Sequence, residues 1–181
     1  MRRLIRDHIE VMGFGVLGLF ALYAYMAFTH TILVNVSGSL PRGLYVKTSR
    51  DVTSPKLGQI VLFCGPSWTT AYSYVRPSRR CGPGEPTLMK FVAGTPGMSV
   101  AVKKDHVVID GRGTEATLLA ADSKGRTLPR VKDGVVPPGF FFPLATFNTR
   151  SLDGRYVGVI SDKKILGAYA CVVCEAGLKA P

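Results

Sequence analysis

Two stretches of this sequence hold side chains that could carry out covalent chemistry together. The first is "NVSGSLPRGLY", Asn35 to Tyr45, where Ser37 and Ser39 flank Gly38 ahead of a Leu40-Pro41 step. A serine hydroxyl is a weak nucleophile until a neighbouring base takes its proton. The second is "TLMKFVAG", where Lys90 lies among Leu88, Met89, Phe91 and Val92. A lysine amine accepts a proton only when neutral, so it needs an apolar setting that lowers its pKa. Strand alternation would put Leu88 and Val92 on the face of Lys90 and run its stem through an apolar layer. Each stretch also has a plainer reading: a turn-rich linker for the first, and a lysine at a strand edge with its head in water for the second.

Other catalytic arrangements fit less well. The Gly-x-Ser-x-Gly elbow needs a different spacing and a strand–turn–helix frame. A Ser-His-Asp triad would have to draw on His8, His30 or His106, and only His106, in an expected hairpin, is placed where it could serve. Of the four cysteines, Cys64 and Cys81 would close a Gly/Pro/Arg-rich loop as a disulfide. Cys171 and Cys174 form a Cys-x-x-Cys half-site without the second pair that zinc binding needs. Residues three apart on a continuous strand face opposite ways, so these two could bond only where the strand turns. Free buried thiols remain the alternative there. No metal site and no cofactor is expected.

These residues need elements to position them. The chain has 181 residues, and 23 Lys+Arg against 12 Asp+Glu give a formal net charge of +11. No helix-turn-helix, zinc-finger or RNP-like signature accompanies that charge, so nucleic acid is not an expected partner. Attraction to membrane lipid is the simpler account. From Val11 to Phe28, "VMGFGVLGLFALYAYMAF" carries no charge and follows Arg2, Arg3 and Arg6. It reads as one transmembrane helix over residues 11–30, with residues 1–10 cytoplasmic and 31–181 exported as a separate domain. The rival is a cleaved secretory peptide. Beyond it, short β-type runs recur between Gly, Pro, Asp and Ser clusters: "TILVNV", "GLYVKT", "QIVLFC", "LMKFVAG", "SVAVKK", "HVVIDG", "GFFFPLA", "RYVGVIS" and "ILGAYACVV". "VVIDGR" predicts a hairpin with an Asp-Gly turn. The fold class is mainly β, a compact barrel-like or sandwich-like domain. Residues 65–86 read as a loop or flap.

Six segments, "SGSLP", "KLGQIVLFCG", "LMKFVAGTPGMSV", "VVIDGR", "VPPGFFFPL" and "SLDGRYVGVI", occur in the order found in signal peptidases with a Ser/Lys dyad. The resemblance runs from Ser37 to about Ile160. Within that family the chain most resembles the conjugative-transfer, TraF-like branch. Leu40 and Pro41 follow Ser39 directly, where housekeeping members have Met, one residue, Pro, and Thr or Ser. "ATFNTRS" stands where those members have Gly-Asp-Asn-Arg-x-Asn-Ser.

The resemblance implies Ser39 as nucleophile and Lys90 as general base. It places the Ser37 hydroxyl with the Ser39 N–H in an oxyanion hole, and has Ser151 aim the lysine amine. Asp153 and Arg155 match a charged pair that buttresses the site, or serve only as an ion pair of the fold. Gly38, Leu40 and Pro41 would meet the substrate, with Pro41 on a strand edge open to an added peptide strand. The function implied is a membrane-anchored serine endopeptidase that processes, and in some members cyclises, a conjugative pilin precursor. A general signal peptidase acting on signal-peptide-bearing precursors, and a non-catalytic scaffold of a secretion channel, are the alternatives. The implied location is the bacterial inner membrane, single pass, with the catalytic domain periplasmic. Ser39 follows the apolar run by about ten residues, hence within roughly 35 Å of the bilayer if that run spans it.

Overall fold

The computed structural model describes residues 2–29, 31–72 and 75–175; within the first stretch side chains are described at 12–26, 28 and 29. The chain divides into two compact units, Met1–Leu33 and Val34–Pro181. The first is dominated by one helix, α1 (Arg2–Phe28), 27 residues long. Met12, Phe14, Leu17, Phe20 and Phe28 are all exposed along it. Among the described residues no helix is both long and apolar enough to cross a membrane. His8 and His30, considered above as triad members, lie outside the described side chains.

Two antiparallel sheets make up the β domain, and the boundary between the units falls within its first strand. The larger comprises β1 (Ile32–Asn35), β2 (Gly43–Ser49), β3 (Ile60–Cys64), β4 (Thr87–Gly94), β9 (Phe140–Leu144), β10 (Ile160–Ser161) and β11 (Ile165–Cys174). Its spatial order is β1-β2-β11-β3-β4-β9-β10, so the last long strand is inserted between β2 and β3. The smaller sheet orders β7 (Arg112–Thr117), β6 (His106–Ile109), β5 (Ser99–Lys103) and β8 (Gly134–Val135). A core of Ala93, Val100, Val107, Ile109, Ala116, Leu118, Val136, Phe142 and Leu144 takes residues from both sheets and joins them. A second core, Val61, Phe63, Leu88, Val92, Phe141 and Ile160, covers one face of β3, β4 and β9.

Most of the expected strands form. The Asp-Gly turn does too: Asp110 and Gly111 have φ of 50° and 77°, the paired positive values a two-residue hairpin of the right twist requires. "RYVGVIS" is a correction. It opens as a short helix, α2 (Gly154–Val157), and only Ile160–Ser161 is strand. Asp153 caps that helix by accepting from the Arg155 N–H. Gly154 packs so closely on β9 that a Cβ there would strike the Pro143 carbonyl oxygen and come within 2.6 Å of the Phe142 ring. Pro41, expected on a strand edge, lies instead in the turn of residues 36–42 that joins β1 to β2.

Both disulfides form. Cys64–Cys81 closes the 65–80 loop, which includes a short 3-10 turn at Ser67–Ala71. Cys171–Cys174 forms because the pairing of β11 with β2 shifts register between Cys171 and Val173. That irregularity breaks the alternation that would otherwise keep the two sulfurs on opposite faces.

Asp153 and Arg155 are fully buried and joined by Nε–Oδ1 and Nη2–Oδ2 bonds, both 2.9 Å. Arg155 also donates to the carbonyls of Thr117, Ala145, Asn148, Thr149 and Ser151. One guanidinium therefore holds the whole 145–151 connection in place. Arg155→Met should cost about 3–5 kcal/mol, because it strands a buried carboxylate along with those carbonyls. Urea unfolding measures this, and a loss under about 1 kcal/mol would show that the pair is incidental.

Candidate active site

A cleft of about 450 Å³ opens on the second unit. Ser37, Gly38 and Ser39 line one side of it, and Thr87, Leu88, Met89 and Lys90 of β4 another. An apolar part of the wall, Val75, Leu119, Leu128, Leu152 and Tyr156, belongs to one packed cluster with Tyr72, and polar Arg76, Asp122, Ser123, Asn148 and Arg150 complete the lining. Thus the two stretches that sequence chemistry singled out, far apart in the chain, face one space. His106 lies elsewhere, exposed on β6, with its ring nitrogens near the Lys104 carbonyl and the Thr117 hydroxyl.

Lys90 is 3% exposed. It pairs across the sheet with Val61, and Leu88 and Val92 flank it in the β3–β4–β9 core. The amine leaves water through an apolar layer, as alternation required, and the snorkelling alternative falls. Burial pulls its pKa from the usual 10.5 to about 8; Asp153 nearby opposes the shift and Arg155 assists it. About a quarter of such amines are neutral at pH 7.5, against about one in a thousand for an ordinary lysine.

The Ser37–Gly38–Ser39 turn is held by a residue the sequence reading did not single out. Asn35 Nδ2 donates to the carbonyls of Ser37, Leu40 and Pro41, while its Oδ1 accepts from the Ser37 N–H and, at 2.7 Å, from the Ser37 hydroxyl. Ser37 Oγ therefore turns to Asn35 here. An Asn two residues before a Ser-Gly-Ser turn was the available signal, since Asx side chains characteristically bond the backbone just ahead of them. Leu40 and Pro41, expected to meet substrate, are instead buried; Leu40 is 1% exposed, and the Pro41 carbonyl accepts from the Tyr45 hydroxyl. They anchor the turn from within, and of the three residues assigned to substrate only Gly38 lines the cleft.

Ser151 is buried with Oγ unpartnered among the described residues. No hydrogen bond joins Ser39, Lys90 and Ser151 to one another; such contacts commonly tighten only once a substrate is bound. Asn148, also missed from sequence, lines the cleft opposite Gly38: a Cβ on Gly38 would lie 3.0 Å from its Nδ2. Asp122, the acidic side chain in the lining, is already engaged by Arg126 and by the Lys124 N–H.

Residues 5–174 match the signal peptidase family, peptidase S26. The chain belongs to that family. As a family member it is a serine peptidase, and its relatives narrow the branch. It is similar to the conjugal transfer protein TraF of Agrobacterium fabrum (strain C58), 38% identical over 144 residues covering 74% of this chain and 77% of that one. It is also similar to the plasmid transfer protein TraF of Escherichia coli, 30% identical over 162 residues, 86% of this chain and 88% of that one. A signal peptidase I from Enterococcus faecalis aligns with a TM-score of 0.37 and 22% identity over 65% of this chain and 98% of the other, too weak a likeness to bear on the site.

The buried amine in this signal peptidase fold sets a stability signature. Between pH 8 and 10.5 the unfolded chain binds more protons at Lys90 than the folded one. Folding stability from this group therefore rises with pH through that window, and below it the buried charge costs about 3 kcal/mol. Lys90→Met should be more stable than the parent at pH 7, with the difference shrinking toward pH 10. Urea unfolding at several pH values reads this difference, and a constant gap across the window would refute the buried-amine account.

Proposed function

We propose that this protein is a membrane-anchored serine endopeptidase of conjugation that matures a pilin precursor, with Ser39 as nucleophile and Lys90 as general base. The observation that carries the proposal is the desolvated Lys90 amine, held at a pKa of about 8 on the wall of the cleft that Ser39 also lines. Neutral Lys90 would take the Ser39 proton as Oγ attacks the scissile carbonyl. The same proton would pass to the departing amine as the C–N bond breaks, leaving an acyl-serine. Lys90, neutral again, would then deprotonate the second nucleophile. Because the working form is the free amine, kcat/KM should rise with pH through about 8 and then level.

Conjugation enters through the relatives, whose names concern conjugal and plasmid transfer. Anchoring and export rest on the uncharged run from Val11 to Phe28 behind Arg2, Arg3 and Arg6, and on the large apolar side chains exposed along α1. The resemblance further suggests that the pilin's own N-terminal amine can replace water at the acyl-enzyme. That outcome requires a pre-positioned amine, since orientation can reach effective molarities of about 10⁵ M or more.

The test is processing of the pilin precursor by full-length protein. Ser39→Ala, Lys90→Met and Lys90→Arg should each abolish it, the last because a guanidinium stays protonated. The Ser39→Ala/Lys90→Met double should be no worse than either single, as for residues that act as one unit. Substantial processing by any single variant would reject the dyad. Efficient cleavage of unrelated secretory precursors would reject the conjugation assignment. Mass spectrometry of the mature pilin separates the two fates of the acyl-enzyme, since a cyclic product is one water lighter than the linear chain.

A further inference from the structure

We propose that Arg76 and Arg150 select the substrate, by pairing with an aspartate or glutamate within about three residues of the scissile bond, roughly 10 Å along an extended chain. This deepens the peptidase reading and rests on it. The cleft holds about 450 Å³, in the range of sites that take a short segment of ligand rather than a folded partner. Ser39 and Lys90 share its lining with Arg76, Arg150 and Asp122, so the charge balance of these side chains decides what peptide it favours. Asp122 contributes no free negative charge. Its carboxylate accepts from Arg126 Nε at 2.8 Å and from the Lys124 and Arg126 N–H groups, both at 2.9 Å. Arg126 is held in turn by the Ala71 carbonyl and by the Tyr72 ring, 4.8 Å from its guanidinium carbon. Arg76 and Arg150 have no such counterpart: neither guanidinium has a hydrogen bond or ion pair among the described residues. Two uncompensated cations therefore share the cleft with an apolar wall.

The two arginines stand on separate loops whose backbones are fixed. Arg76 precedes Pro77, which restricts it to extended geometry, and Pro77 in turn bridges Pro86. On its other side the Val75 N–H donates to the Tyr72 carbonyl at 2.9 Å, and Val75 packs into the apolar cluster. Arg150 belongs to the connection that Arg155 clamps, and its own N–H donates to Asn148 Oδ1 at 2.8 Å. A guanidinium fork matches a carboxylate through two parallel hydrogen bonds. In the open cleft both side chains are exposed and water screens them. A peptide laid over the apolar wall excludes that water and strengthens the pairing. Acidic side chains of the substrate are then attracted and basic ones repelled, and both effects sharpen selectivity.

The experiment measures cleavage by full-length protein in detergent on two probes. One is a defined mixture of unstructured peptides read by mass spectrometry, and the other is the pilin precursor. Wild type should cut near aspartate or glutamate, and the kcat/KM of a Glu-bearing peptide should exceed that of its Gln twin about tenfold. Arg76→Gln/Arg150→Gln should bring that ratio below about two, and Arg76→Glu/Arg150→Glu should prefer a Lys twin instead. Both side chains are exposed, so these variants should unfold at the wild-type urea midpoint. The ratio compares two substrates on one enzyme, so a general loss of rate leaves it unmoved. Raising salt from about 0.05 M to about 0.5 M should shrink the wild-type ratio. A wild-type ratio near one, or a ratio that survives in the Gln double variant, would overturn the assignment. An intact precursor beside Glu-selective peptide cleavage would strike the pilin reading and leave the two arginines standing. Cleavage persisting in Ser39→Ala would strike the nucleophile, and the ratio in the arginine variants would still decide recognition. Wild type that cuts neither probe would remove the peptidase reading and this assignment with it.

Discussion

A buried carboxylate that already has its cation is the constraint on which this site depends. Asp153 lies near enough to Lys90 to raise its pKa, and unpaired it would draw the amine toward permanent protonation. Arg155 takes that carboxylate in a two-bond pair with no exposed surface, and itself pushes the Lys90 pKa down. Desolvation is then left as the dominant influence on the amine. Buried ion pairs often add little net stability. This one has a second use, because the remaining Arg155 donors bind the carbonyls that shape the 145–151 connection. Electrostatics of the Lys90 amine and geometry of the loop thus share one guanidinium.

The two halves of the cleft meet through small groups. Asn35 folds the chain back on itself so that Ser37, Gly38 and Ser39 form an open turn, with Leu40 driven into the core as its anchor. Asn148, fixed from the Arg155 side, reaches toward Gly38. A glycine between two serines therefore suits the packing of an amide against this turn. β4 supplies Lys90 from a strand whose neighbours are buried, which is how a lysine can be both dry and rigid.

Much of this was legible in the sequence where the cause is local. The β-type runs, the Asp110-Gly111 turn and the apolar flanks of Lys90 each follow from residues within a few positions of one another. What was not legible depends on contacts made by the folded chain. "RYVGVIS" has strand-like composition, but the Asp153 cap and the fit of Gly154 against Phe142 turn its start into helix. The Cys171–Cys174 bond needed a register shift against β2 that no local pattern announces. Leu40 and Pro41 follow Ser39 directly, yet their burial is decided by how Asn35 closes the turn.

The protonation state of one amine tests the account most directly. In protein labelled with ¹³C at lysine Cε, the Lys90 resonance can be assigned by its loss in Lys90→Met and followed through a pH titration by NMR. The account predicts a midpoint near 8, set apart from the exposed lysines. A midpoint near the ordinary lysine value of 10.5 would mean that the amine stays charged at working pH, and Lys90 could not then serve as the base.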